Sequence, residues 1–433
     1  MRESIVNQAW EFATLQAMQA ANSANRHVEF TDWQHAQLQE FIKQGFPNRK
    51  VEDWKYTDVS AIAKQAFTLS HEVSSDVDIR PLKIESPHII VFVNGRYAPV
   101  LSTVNNLPTA VTVSTVNQAL QIPAQYQTPF SALNAALMTD GLYLSIPKNN
   151  YIEHPIHLIY LQTDDRQLMN HPRHFIDVGE NSEVTFFEEY VGQTSAAYFN
   201  NVVTQISAAQ NARVQHFKLQ NEAKQAFHIA NTIICQQKDS VVSTTTIATG
   251  ASLSRDDLNY SLNEAGSQCR LLGLYHLDNE RHIDNHSRID HRVPHCSSEQ
   301  NYKGIIDGKS RAVFNGRVIV HEDAIKTKAL QSNQNLLLSA HAEIDAKPEL
   351  EIYADDVQCA HGATVGRLDE QALFYLRSRG IDDDMAHHLL TCAFANEILE
   401  QIRQPAIAEK LNRHVVNQLA VKQCCGDCHH EKI

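Results

Sequence analysis

Cys359 and His361 stand two positions apart in the stretch Glu351-Ile-Tyr-Ala-Asp-Asp-Val-Gln-Cys-Ala-His-Gly-Ala-Thr-Val-Gly366. On a strand, side chains alternate with period two, so this thiol and imidazole share a face and offer a soft and a borderline donor to one metal. Asp355 and Asp356 lie just upstream, and Gly362 and Gly366 allow backbone to approach whatever docks here. The same residues also read as a buried cysteine and a hydrogen-bonded histidine at a sheet corner, because a lone Cys-x-His is a weak ligand signal. Asp355 and Asp356 are adjacent and point apart on a strand, which counts against the paired carboxylates of a carbohydrate-active β-helix enzyme.

Two other donor groups compete for attention. His276, His282, His286, His291, His295 and Cys296 form a dense run; some would share a strand face and others would alternate away, as hydrogen-bonded surface histidines do. The C-terminal Cys424-Cys425-Gly426-Asp427-Cys428-His429-His430 combines a Cys-x-x-Cys with following histidines, a spacing that could hold Zn²⁺ or iron. Gly308-Lys309-Ser310 resembles the end of a phosphate-binding loop, but the glycine required five residues earlier is Lys303. No Ser/His/Asp elbow, His-Glu-x-x-His or Gly-x-Gly-x-x-Gly is present, so catalysis by this chain alone has little support.

The elements that must position these residues fall into three stretches of a 433-residue chain, long enough for two or three domains. Residues 1 to about 85 read as helical: Thr31 and Gln34 form a capping box, Trp33, Leu38, Phe41 and Ile42 follow at helical spacing, and Gly45 with Pro47 stops the helix. The mixed-charge aromatic segment from Asn48 to Thr57 reads as a packing corner, and residues 71–78 as a linker. From Pro87 the pattern becomes β, with Ile89 to Val93 turning at Asn94-Gly95. A short helical stretch near Ser131 to Met138 interrupts it, and β character then lasts to about residue 365. Asn201, Asn231, Asn259 and Asn285 each open a short strand, at offsets of 30, 28 and 26 residues. Second strands enter through small residues at Ser182, Ala212, Ser240, Ser267 and Ser310. A strand–turn–strand unit at nearly fixed period predicts a solenoid in which stacking supplies the core, a parallel β-helix rather than a sandwich or propeller. After Gly366, Asp369 caps one helix and Asp382 to Asp384 begin another that runs to Arg403. Leu390, Phe394, Ile398 and Ile402 form one apolar stripe, and Ile407, Leu411, Val415 and Leu419 a second.

Composition narrows the function. The hydrophobic share of 43% and charged share of 20% describe a globular protein. A formal charge of −13 without a basic cluster argues against nucleic acid. No run approaches the eighteen or so apolar residues of a membrane span, and the first ten residues lack a signal-peptide pattern. With five of the eight cysteines widely scattered, a reducing, cytoplasmic setting is expected.

The stretch Asp355-Asp-Val-Gln-Cys-Ala-His-Gly-Ala-Thr-Val-Gly366, followed by Asp369-Glu370 and Leu373-Phe-Tyr-Leu-Arg-Ser-Arg-Gly-Ile381, resembles the C-terminal signature of the SufB/SufD family of iron–sulfur cluster assembly proteins. Residues 48–57 are similar to the family's N-terminal signature, and the likeness extends along most of the chain. The resemblance implies a right-handed parallel β-helix core at 86–366, flanked by a helical domain at 1–85 and another at 367–423, with 424–433 as a tail outside the family pattern. Length, a helical N-terminus, no cysteine before Cys235 and the Cys-Ala-His-Gly form resemble the branch that pairs with SufB. The resemblance further implies a non-catalytic subunit that binds SufB, docks the ATPase SufC through helices carrying Phe394 and Ile398, and binds no stable cofactor. ATP-driven closure of SufC would open a seam where iron and sulfide form a transient cluster, with His361 as a nitrogen ligand and Cys359 as its neighbouring thiol. A homodimer in isolation is also compatible. The competing expectation is a stand-alone β-solenoid metal-binding protein using the His276–Cys296 run and the tail.

Overall fold

The strands pair in parallel with the strand one coil further on, and successive strands alternate between two sheets. The computed structural model describes residues 28–70, 76–104, 107–108, 110–116, 124–138 and 140–420. One sheet stacks Gly141–Ile146, Arg173–Val178, Phe199–Ala208, Phe227–Gln236, Leu253–Leu262, His282–His291, Arg311–Val320 and Glu343–Ile352. The facing sheet stacks His88–Val93, Ile156–Gln162, Glu183–Gly192, Arg213–Asn221, Val241–Ala248, Gln268–Leu277, Ser297–Ile306, Lys328–Leu337 and Gln358–Gly366. This is a parallel β-solenoid of about 8 turns in a mainly β chain, with helices at both ends of the sequence.

The repeat is encoded at the corners. Asn181, Asn211, Asp239, Gly266, His295 and Lys326 all have positive φ, between 54° and 80°. Each is followed by a small buried residue: Ser182, Ala212, Ser240, Ser267, Cys296 and Thr327. Asn and Gly tolerate the left-handed conformation, and a small next residue lets the chain turn into the core. Side-chain amides climb this corner, with Asn211 donating to Asn181 at 2.9 Å and Asn181 to Asn149 at 3.0 Å. The four second-strand entries from Ser182 to Ser267 are therefore in register, whereas Ser310 belongs to the other sheet. The strand-opening asparagines are not equivalent: Asn201 pairs with Ile229, Asn231 with Asp257, Asn259 with Arg288 and Asn285 with Phe314. Coil length varies, from Phe199 to Phe227 to Leu253 to His282, and a residue type cannot track a period that drifts.

At the first end of the solenoid the interior is aromatic and aliphatic. Phe92, Tyr160 and Tyr190 stack ring on ring along the axis, at 5.2 and 4.3 Å. Helix α1 (Val28–Gln44) lies on α2 (Pro129–Leu137), which Thr128 and Ser131 cap reciprocally. Thr31 and Gln34 sit inside α1 rather than at its start; the buried Gln34 amide donates to the carbonyls of Ala136 (3.1 Å) and Met138 (3.3 Å). Long-range satisfaction of the α2 end thus replaces the expected capping box. Gly45, at φ 67°, closes α1 as expected.

The expected packing corner at 48–57 is a buried clasp. Arg255 places its guanidinium 3.8 Å from the Trp54 ring centroid, pairs with Asp257 (2.7 Å) and Asp284 (3.0 Å), and donates to the Asp53 carbonyl. The Thr57 hydroxyl donates to Asp284 at 2.5 Å.

The chain divides into two compact units, 1–365 and 366–433. The N-terminal helical residues thus belong to the same unit as the solenoid. The described part of the second unit contains α3 (Glu370–Ser378), α4 (Asp383–Leu399) and α5 (Pro405–Leu419). Asp369 caps α3 and Asp382 caps α4 through their side-chain oxygens. Helix α4 ends at Leu399, short of the expected Arg403. The buried side chains of this unit are Leu373, Ala386, Ala395, Ile398, Leu399, Ile402, Ile407, Leu411 and Val415 among the apolar residues described.

Candidate functional site

Cys359 and His361 lie on Gln358–Gly366, the last strand of the second sheet. The Gln358 amide donates to the Thr327 carbonyl at 2.9 Å, the pattern by which Lys328 donates to Cys296 one coil earlier. This register sets Cys359 beside Ala329 and His361 beside Gln331, both inward positions. Cys359 is half-buried against the main core, and burial pushes its thiol up. His361 is exposed, because no further coil among the described residues covers it. The two donors share a face on an edge that no other described strand pairs with.

The two edges at this end differ. Glu343–Ile352 carries Glu343, Asp345, Lys347, Glu349 and Glu351, with Pro348 removing one amide donor. Charges and proline blunt a sheet edge against further pairing. Gln358–Gly366 contains neither a charged residue nor a proline apart from the titratable His361. A Cβ on Gly362 or Gly366 would meet nothing within 4 Å, so no contact among the described residues requires glycine there. Asp355 and Asp356 are exposed turn residues; Asp356, at φ 57°, pairs with Lys326 and shares no task with Asp355.

Behind His361 the interior turns polar, a feature that no short motif signals. The Gln331 amide donates to Gln300 at 2.8 Å, and Gln300 donates to the Ser287 hydroxyl at 2.6 Å. Alongside, Tyr275 donates to Asn335 (2.5 Å), Asn335 to Asn333 (2.6 Å) and Asn333 to Tyr275 (3.1 Å). Deeper still, Glu188 accepts from Tyr190 at 2.7 Å and pairs with His216 at 3.3 Å. Burial alone would raise the Glu188 carboxyl, but the hydrogen bond and charge of His216 and the charge of Lys218 hold it at about 2. The signal was present as Gln331-Ser-Asn333-Gln-Asn335, polar at the inward parity of a strand.

The histidine run does not converge. His291 bonds Ser298 inside the solenoid at 2.8 Å, His282 meets Thr57 at 2.8 Å on the outer face, and His286 pairs with Asp284 at 3.0 Å. His295 occupies a corner, and Cys296 points its thiol at the Glu264 carbonyl. Among the described residues, no three His, Cys, Asp or Glu side chains gather in a metal-binding arrangement. The tail at 424–433 lies outside the described residues. Gly308 forms a corner at φ 66°, packed against the backbone of Asn279. A polar cleft of about 120 Å³ between Trp54, Tyr126 and the first sheet holds Arg255, Arg288 and Arg317. Each guanidinium is already paired, with Asp257, Asp290 and Glu349 respectively, so the cleft is electrostatically satisfied. No helix among the described residues is long and apolar enough to cross a membrane.

Fold and site together define a β-solenoid protein that displays a thiol and an imidazole on an open sheet edge, followed in the chain by a separate helical unit. The SUF system FeS cluster assembly SufBD core domain matches residues 160–394, and the SufBD protein N-terminal region matches 12–158. The chain belongs to the SufBD family of iron–sulfur cluster assembly proteins. It is 37% identical to a SufBD family protein of Synechocystis, over 85% of this chain and 86% of that one. It is 32% identical to the iron-sulfur cluster assembly protein SufD of Escherichia coli, over 88% and 91%. It is 29% identical to the chloroplastic protein ABCI7 of Arabidopsis thaliana, over 86% and 82%.

Proposed function

We propose that this chain is the SufD-type, non-catalytic subunit of an iron–sulfur cluster assembly scaffold. It pairs through its open edge with a SufB-type chain and docks a SufC-type ATPase on its helical unit, in a reducing compartment such as the cytoplasm. The observation that carries this reading is the uncharged strand Gln358–Gly366, open along its outer side among the described strands and bearing Cys359 and His361 beside a blunted neighbouring edge. Antiparallel edge pairing across a twofold or pseudo-twofold satisfies the outward amides of such a strand and sets His361 at the seam. Iron and sulfide are cargo there. His361 supplies a neutral imidazole nitrogen, and Cys359 a thiol that ionises only as metal displaces its proton. Ile398 is fully buried and acts by holding the helical unit together, whereas half-buried Phe394 can serve at its surface.

The test is co-purification with SufB-type and SufC-type partners, followed by anaerobic reconstitution with iron and a sulfur donor. His361→Ala is expected to assemble the complex yet fail to develop cluster absorbance. Normal cluster formation in that variant refutes the role of His361, and loss of the SufC-type partner makes the residue structural. Because Gln358 donates inward, the amide of Ala363 faces outward by alternation. Ala363→Pro should abolish pairing with the SufB-type chain while leaving the thermal transition in place; a pairing that survives it does not use this edge.

A further inference from the structure

The polar row behind His361 ends on a buried acceptor that no described residue satisfies. Gln300 and Gln331 are register partners on neighbouring coils, and His361 continues the row on the last strand. Each rung donates away from the open end: Gln331 Nε2 to Gln300 Oε1 at 2.8 Å, then Gln300 Nε2 to the Ser287 hydroxyl at 2.6 Å. Donation in one direction leaves the carbonyl end of the last amide over. Gln331 is 4% exposed, and its Oε1 is enclosed without a hydrogen-bond partner. A buried acceptor left unpaired carries the full cost of its lost hydration, so a donor that reaches it is favoured.

The surroundings say which donor that is. Gln331 Nε2 is committed to Gln300, and turning the amide over would break that bond and set two carbonyl oxygens against each other. Gly316 makes the room for this arrangement, since a Cβ there would come 2.1 Å from Gln331 Nε2 and 3.1 Å from Gln300 Oε1. Asn333, the next inward residue on the same strand, already gives its amide nitrogen to the Tyr275 hydroxyl and the Tyr302 carbonyl. On the last strand the inward positions are Cys359, His361, Ala363 and Val365. Of these four, the imidazole alone carries a strong donor, and it stands in register with Gln331.

We propose that Gln331 is the positioning residue for His361: its Oε1 accepts one ring N–H and so fixes which nitrogen keeps a lone pair for iron at the seam. A neutral imidazole has one N–H and one lone pair, so committing the first assigns the second. Metal-bound histidines are held this way, the second nitrogen donating to a carboxylate or carbonyl oxygen. An amide oxygen orients the ring without the charge by which a carboxylate would favour the doubly protonated, non-ligating form. The role rests on the reading of His361 as a nitrogen ligand and supplies what such a ligand needs, a set tautomer.

The test begins with the full chain carrying ¹⁵N-histidine. Ring tautomers are read from two-bond ¹H–¹⁵N correlations in alkaline buffer, where imidazole is neutral, and the His361 signals are assigned by their loss in His361→Ala. The wild type should hold one tautomer, and Gln331→Met, close in volume but without the amide acceptor, should mix the two. Gln300→Met removes the rung below and should leave the tautomer in place; equal mixing in both variants would make the row a packing feature and overturn the proposal. The same chains are then assembled with SufB-type and SufC-type partners and given Fe²⁺ and a sulfur donor anaerobically. Gln331→Met should form the complex and lower cluster formation at least about tenfold. A wild-type ring that samples both tautomers, or an unchanged tautomer in Gln331→Met, overturns the positioning role. So does unimpaired cluster formation in Gln331→Met where His361→Ala fails. Normal cluster formation in His361→Ala overturns instead the ligand reading beneath it, so the two failures are told apart.

Discussion

The clasp around Arg255 gives the sharpest stability prediction. Arg255 is 2% exposed and Asp284 is 1% exposed, and their 3.0 Å ion pair holds residues 53–57 against the solenoid. Asp284→Asn preserves the shape and an oxygen for Thr57, but deletes one of the two carboxylates opposing a buried cation. Removing one partner of a buried pair destabilises by about 3–5 kcal/mol. Here the guanidinium keeps Asp257, bound twice at 2.7 and 3.0 Å, so the loss should sit near 3 kcal/mol, roughly 150-fold in the folding equilibrium. The sign with pH follows. Burial would raise the Asp284 carboxyl, but the charges of His286 and Arg255 outweigh it and hold it below its ordinary 3.8. Its contribution is therefore full above pH 3.8 and is lost as pH falls toward the lower folded value. Urea unfolding followed by Trp54 fluorescence at neutral pH should show the shifted midpoint, and acidification should narrow the gap between wild type and variant. A loss below about 1 kcal/mol, or a gap that does not change with pH, would refute the claim that Asp284 is a charged member of the clasp.

Three further outcomes are expected. Glu188 sits at about 2 against an ordinary 4.5, so acid unfolding of the solenoid between those values should be less steep in Glu188→Gln, measured by circular dichroism. Gly273→Ala would put a Cβ 2.2 Å from the buried Tyr302 ring, and overpacking there should lower thermal stability by about 1–3 kcal/mol. Ile398→Ala should destabilise the helical unit by about 2–5 kcal/mol, whereas Phe394→Ser should retain helicity and weaken capture of a SufC-type ATPase; equal loss of helicity in both would remove Phe394 as a surface residue.

The solenoid was legible because its corners need particular residues. Asn181-Ser182, Asn211-Ala212, Asp239-Ser240 and Gly266-Ser267 pair a left-handed position with a small buried one. Asn201, Asn231, Asn259 and Asn285 misled because a strand position imposes no comparable backbone demand, and coil length drifts between them. Period two was enough to put Cys359 and His361 on one face. It could not tell that their strand is an edge, since an edge is defined by which distant segment fails to pair. The histidine run dispersed for a related reason: neighbours such as His286 and His291 differ in parity, and only pairing decides which parity is inside. Ile398 read as a docking residue because a helical stripe does not say whether its partner is another chain or the next helix.

The first end of the solenoid bears on what the open edge can assemble. Thr112–Thr115 runs antiparallel to Gly141–Ile146 and closes the first sheet there, and Arg96–Tyr97 runs antiparallel to His88–Val93 in the second. These edge strands are only four and two residues long, so the first end offers no long parallel edge to match Gln358–Gly366 in a head-to-tail stack. The long uncharged edge of Gln358–Gly366 can instead be satisfied by a twofold or pseudo-twofold partner presenting the same kind of edge. That geometry yields a closed dimer, never a fibre, and admits either a second copy or a relative with the same solenoid end. Sedimentation of the isolated chain and of its mixture with a SufB-type protein separates the two: a homodimer that dissociates to form the mixed pair means both use Gln358–Gly366. A homodimer that persists inside a larger mixed complex would place the second interface elsewhere.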